Sequence, residues 1–181
     1  GEVPSRIALS TLIGAVVETP DWNMREPEQQ AERIEQRITE RYDKADAAIS
    51  DRADADPRMS GMGTTMTLAI SEGAMLFLGH VGDSRAYLLR GGQLHRLTRD
   101  HSFAQALIDS GVLTAAQAKG RGVRNVLLRY LGGGHGHVAT DVQHLPLENG
   151  DQVLLCTDGL TDMIDDATIA SVLQIAATAP A

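Results

Sequence analysis

The residues of this chain best suited to chemistry are two aspartates that each follow an apolar run. Asp158 closes the stretch Leu154, Leu155, Cys156, Thr157 and is followed by Gly159 and then by a second carboxylate, Asp162. Asp83 follows Gly79, His80, Val81 and Gly82 and precedes Ser84 and Arg85. A strand that stops at a carboxylate can hand a hard oxygen donor to a sheet edge, and magnesium or manganese takes such donors in octahedral array with water filling the rest. Each aspartate alone also has an ordinary structural reading: Asp158 with Gly159 makes a turn, and Asp83 caps the tight turn into Arg85. Two carboxylates at two strand ends together point to a shared divalent-cation site.

Strands must deliver these residues, and the pattern supplies them after two helices. Over residues 4–17 the apolar Ile7, Ala8, Leu12, Ile13, Val16 and Val17 recur near helical period, with Pro4 tolerated in the first turn. Residues 19–23 break the pattern, and Pro27 opens a longer helix to about Arg52 with Ala31, Ile34, Ile38, Tyr42, Ala45 and Ile49 on one face. Its charges, among them Glu35, Glu40, Asp43 and Asp46, are expected to be solvated. Residues 51–57 read as a linker without regular structure. Short strands are then expected over 64–71, 74–82, 85–90 and 93–96, with Glu72-Gly73 and Gly91-Gly92 as hairpin turns, so that consecutive strands pair antiparallel. A helix over 102–110 stops at Gly111, and a short capped turn follows at 114–117. Residues 110–125 are read as a mobile flap. Strands over 138–146 and 152–157 flank the turn at 148–151, and a last helix begins at Asp165 or Asp166 with acidic residues against its N-terminal dipole. Helices first, antiparallel strands next and a closing helix give an α+β protein.

Taken with Gly61-Met62-Gly63-Thr64-Thr65 and Leu97-Thr98-Arg99-Asp100-His101-Ser102, in this order and spacing, the two aspartate segments resemble the metal-dependent protein serine/threonine phosphatases of the type 2C, or PPM, family, in its bacterial form. The resemblance runs over nearly the whole chain. It implies a four-layer αββα sandwich, two central antiparallel sheets flanked by helices, with a binuclear Mg2+ or Mn2+ centre in a cleft at one end. Asp158 matches the aspartate that binds one ion of that pair, and Asp83 matches the one that holds a third, weaker ion with it. Two or three ions are therefore expected in the complete domain, and no side chain of this chain is assigned a covalent role. Phosphomonoester hydrolysis is slow because water must approach a phosphoryl group already surrounded by negative charge; paired cations neutralise that charge and produce hydroxide.

The same resemblance marks what residues 1–181 do not contain. The family's Asp-Gly-x-Gly-Gly motif precedes the first helix, an upstream arginine clamps the phosphate, and an Asp-Asn pair follows the final helix. The expectation is one phosphatase domain incomplete at both ends, weak or inactive by itself, within a working parent enzyme. The alternative is a non-catalytic regulatory or phosphoprotein-binding module. Expected partners are phosphorylated Ser/Thr proteins and a Ser/Thr kinase acting on them, with a monomeric cytoplasmic protein as the setting.

Composition narrows the field further. A formal charge of −8 and a pI near 5.1 argue against a nucleic-acid surface, which needs clustered Lys and Arg. The single Cys156 cannot form an internal disulfide and reads as a small buried side chain in a reducing compartment. No run of residues approaches a membrane span. His135 and His137 lie in a glycine-rich connector, His101 is read as a structural residue at a helix start, and Thr64 and Thr65 are assigned to the core.

Overall fold

The computed structural model describes residues 2–17, 27–119, 126–133 and 138–178. The break at 19–23, the flap residues 120–125 and the connector holding His135 and His137 lie outside them.

Helices α1 (Glu2–Val17) and α2 (Pro27–Ala55) pack side by side, and α2 turns an apolar face into the main core. Ile34, Ile38, Tyr42, Ala45 and Ile49 repeat at helical spacing and are all buried. The expected linker over 51–57 is instead helical to Ala55, because Arg52, Ala53 and Ala55 are strong helix formers and no Gly or Pro interrupts α2 before Pro57. Pro57 stops it by pushing Asp56 into extended backbone (φ −138°, ψ 105°), and a 3-10 turn, Pro57–Met59, follows. The solvated-charge reading fails at Asp46, which is buried because its Oδ1 accepts the Gly132 N–H at 2.6 Å. A buried carboxylate is tolerable when hydrogen-bonded in this way.

Among the described residues six strands follow, β1 (Met66–Glu72), β2 (Met75–Val81), β3 (Arg85–Arg90), β4 (Gln93–Arg96), β5 (Asp141–Pro146) and β6 (Gln152–Cys156). They form two antiparallel sheets, ordered β1-β2-β5 and β4-β3-β6. Gly91 and Gly92, both with positive φ, make the two-residue turn between β3 and β4. The expectation that consecutive strands over 64–96 pair holds for β1–β2 and β3–β4 but fails for β2–β3. The connections from β2 to β3, from β4 to β5 and from β5 to β6 all cross from one sheet to the other.

The first sheet lays Phe77, Val81, Met66, Leu68 and Val142 against α2. Gly79 marks the closest approach, since a Cβ there would lie 2.6 Å from Ile38 Cγ2. Between the sheets a smaller cluster joins Leu76, Leu78 and Ala86 with Ala69, Leu97 and Leu145. Helix α3 (Phe103–Asp109) is capped by Ser102, whose Oγ accepts the Gln105 N–H at 3.2 Å; the short α4 (Ala115–Lys119) follows, held at its start by reciprocal Thr114–Gln117 bonds. The chain ends in α5 (Asp158–Thr161) and α6 (Asp166–Thr178), and α6 lies on β3 and β4. These layers are the expected αββα arrangement. No helix among the described residues is long and apolar enough to cross a membrane.

Candidate metal centre

Register brings the two predicted aspartates together. β3 starts at Arg85 and β6 ends at Cys156, and these two residues are partners in the antiparallel ladder. The chain before Arg85 and the chain after Cys156 therefore emerge at the same end of the sheet. Asp83 lies two residues before the first partner and Asp158 two residues after the second. Both line a cleft of about 460 Å3, whose walls also carry Asp100, Asp162, Asp165 and Asp166.

Asp158 does not sit in an Asp-Gly turn. Thr157 takes the extended N-cap conformation and Asp158 is the first residue of α5, where its charge suits the exposed N–H groups of that turn. Asp83 occupies the three-residue crossover from β2 to β3. Gly82 just before it has φ +114°, and a Cβ there would fall 2.3 Å from Thr65 Cγ2, so only glycine fits. The same Thr65 hydroxyl is 2.9 Å from Ser84 Oγ, which pins the crossover from its other side. Thr64 and Thr65 are both half-buried rather than core residues: Thr65 supports this loop, while Thr64 bridges to Leu131. Cys156 is likewise only half-buried, and its thiol pKa is raised, chiefly by burial, which makes it a poor nucleophile.

The electrostatics of the cleft are unbalanced. Asp100 takes both guanidiniums: Arg85 donates Nε and Nη2 at 3.0 and 2.7 Å, and Arg96 Nη2 bonds the same carboxylate. Asp166 accepts the Tyr87 hydroxyl at 3.0 Å, and Asp165 caps α6 through the Thr168 N–H at 2.8 Å. Among the described residues Asp83 has no such side-chain partner. Burial first, then the charges of Asp158 and Asp100, raise its pKa, and its own backbone N–H and then Arg85 only partly oppose them. A cation placed between Asp83 and Asp158 would relieve that cost, so the donor set suits a hard divalent ion. Among the described residues no three His, Cys, Asp or Glu side chains converge closely enough to hold a metal alone. The two aspartates fit part of a coordination shell.

Some contributors were missed in the sequence. Asp100 belongs to a motif that had been noticed, but its partners Arg85 and Arg96 are fixed only by strand pairing. His101 was placed at a helix start, whereas the cap is Ser102 and the His101 ring is turned to the crossover: its Nδ1 accepts the Gly82 N–H at 3.1 Å. Its Nε2 lies 2.9 Å from Asp141 Oδ2, a partner far along the chain that no local signal marks.

A profile described as protein phosphatase 2C matches residues 1–178. The chain belongs to the protein phosphatase 2C family. As a phosphatase 2C chain it is 33% identical over 174 residues to the serine/threonine phosphatase stp of Listeria monocytogenes, covering 96% of itself and 66% of that protein. It is 40% identical over 129 residues to the serine/threonine protein phosphatase PstP of Mycobacterium tuberculosis, covering 71% of itself and 25% of the relative. The crystal structure of Mycobacterium tuberculosis PstP superposes with a TM-score of 0.81 at 33% identity, over 96% of this chain and 69% of that one. The PstP catalytic domain has also been solved in complex with two manganese ions; it gives a TM-score of 0.80 at 33% identity, over 96% of this chain and 68% of that one. This phosphatase 2C chain therefore spans about a quarter of the mycobacterial protein and about two thirds of the Listeria protein.

Proposed function

We propose that the protein containing these residues removes phosphate from serine and threonine in phosphoproteins, with Asp158 and Asp83 serving as oxygen donors to magnesium or manganese. The observation that carries this reading is the β3–β6 register, which puts both carboxylates at one ladder end, in one acidic cleft, within a phosphatase 2C fold. Such ions, when bound, neutralise charge at the phosphoryl group and lower the pKa of an attacking water. The chain's own residues prepare that centre. Asp158, exposed on the first turn of α5, presents its carboxylate to the open side of the cleft, and Asp83 holds the deeper, less hydrated position. Asp100 keeps Arg85 and Arg96 engaged, so these guanidiniums brace the wall instead of capturing phosphate. Ligands from sequence flanking the 181 residues complete the shell in a single domain, and residues 110–125 govern substrate access. A Ser/Thr kinase acting on the same proteins, a monomeric state and a cytoplasmic setting complete the proposal.

The test is phosphate release from a phosphothreonine peptide by the full-length protein with manganese, compared with the 181-residue chain and with Asp158→Asn. Full-length protein should turn over, the chain alone should be weak or silent, and Asp158→Asn should lose about a hundredfold or more, as expected when an interaction worth several kcal/mol is removed. A full-length protein that releases no phosphate with manganese sinks the reading in favour of a phosphoprotein-binding module.

A further inference from the structure

We infer that His101 is a positioning residue for Asp83, acting through a two-sided hold on Gly82, with Asp141 setting the imidazole tautomer that makes the hold possible. The inference rests on Asp83 being a metal ligand, as proposed above.

The argument begins with a donor that has one place to go. The Gly82 N–H is buried and donates to His101 Nδ1 at 3.1 Å. A backbone N–H can only donate, so Nδ1 must carry its lone pair, and the proton of a neutral ring must sit on Nε2. That N–H points at Asp141 Oδ2, 2.9 Å away. Asp141 is oriented in turn by Arg129, whose Nη1 donates to Oδ1 at 2.9 Å and to the Ala139 carbonyl at 2.8 Å. The His101 backbone completes the hold by donating its own N–H to the Gly82 carbonyl at 2.7 Å. One residue thus grips both the N–H and the carbonyl of Gly82, and so the two peptide units on either side of its Cα. His80, whose ring centre is 4.8 Å from that of His101, packs the imidazole from the other side. Thr65 lies against Gly82 where a Cβ would be, so the glycine has no room to yield toward β1. A carboxylate on the residue that follows a backbone held in this way keeps its direction, which is the service that outer hydrogen bonds give to metal ligands.

Two isosteric replacements separate this role from mere packing. The amide oxygen of Asn can take the place of Nδ1 and accept the Gly82 N–H, while the amide of Gln reaches the Nε2 position and leaves that N–H without a partner. In the full-length protein, His101→Gln should speed amide hydrogen exchange at Gly82 by about tenfold or more, since the donor is released locally. It should also weaken the manganese ion that depends on Asp83 by about 10- to 100-fold in calorimetric titration, the usual cost of losing such a support. His101→Asn should keep both quantities within about threefold of wild type, because the one bond that matters is retained. In an Asp83→Asn background His101→Gln should cost nothing further in manganese affinity, since coupled residues are not additive. Equal losses in the Asn and Gln variants, or an undiminished loss in the Asp83→Asn background, overturn the inference. If His101→Gln does not fold, Asp141→Ala keeps the ring in place and must still speed Gly82 exchange; an unchanged rate there overturns it too. Wild-type protein that binds no manganese ends the phosphatase reading instead, and Gly82 exchange still judges the hold by itself.

Discussion

The two sheets have three strands each and are built to different ends. Sheet β1-β2-β5 is closed against α1 and α2, and its core residues Ile38, Tyr42 and Val81 have no exposed surface. Sheet β4-β3-β6 holds less. Val153 and Leu155 on β6 remain 38% and 43% exposed, and Met163 beyond α5 is 80% exposed. The second sheet ends instead in a cleft lined with carboxylates that repel one another. Stability is concentrated in the half that is shielded from water, and the half that forms the cleft carries charge at some cost. The crossover at residues 82–84 joins the two, so Asp83 is exposed to the cleft while its backbone is anchored on the packed side.

Substitutions on the two sides should therefore behave differently. Ile38→Ala, in the fully buried face of α2, should cost about 3 kcal/mol in urea unfolding; a loss under 1 kcal/mol would break the contrast. Acid should act on the packed side almost as strongly. Burial, then the neighbouring His101, pushes the His80 pKa down to about 4. The unfolded chain binds that proton near pH 6.5 and the folded chain does not, so stability is full above pH 6.5 and is lost as pH falls toward 4. This single group accounts for roughly 3 kcal/mol across that window. His101, also held neutral chiefly by burial, adds in the same direction. A flat unfolding free energy from pH 7 to 5 would contradict this. Gly82→Ala should lose about 2 kcal/mol or more, because its Cβ meets Thr65 and its φ is positive. On the open side, Leu155→Ala should cost under about 1 kcal/mol by the same measurement, since little apolar area is at stake. Asp158→Asn should change stability by less than about 0.5 kcal/mol. It should nevertheless abolish measurable manganese binding at its site, which would show that the cleft is organised for cations and not for folding.

Much of this was legible before any fold was known. The α2 face from Ile34 to Ile49 follows from periodicity, β3 and β4 fall at the expected residues, and Gly91-Gly92 marks its turn, because all of these are decided within a few residues of chain. Asp83 and Asp158 stood out because a carboxylate after an apolar run is a local signal. The expected linker at 51–57 differs from the structure because charge suggested solvent while the helix formers Arg52, Ala53 and Ala55, uninterrupted by Gly or Pro, continued α2 to Ala55. Asp46 was misread because a helical charge pattern does not reveal a distant Gly132 N–H waiting for it.

The amino-acid order by itself determined the elements, most of their ends, and which side chains could serve as hard oxygen donors. Tertiary structure alone decided that β2 and β3 part into different sheets, that Arg85 pairs with Cys156, and that His101 turns from its helix toward Gly82 and Asp141. The reason is range. Helical period and turn geometry depend on neighbours in sequence, whereas strand register and the partners of buried polar groups depend on how packed surfaces meet, and only there do the two aspartates come to face one cleft.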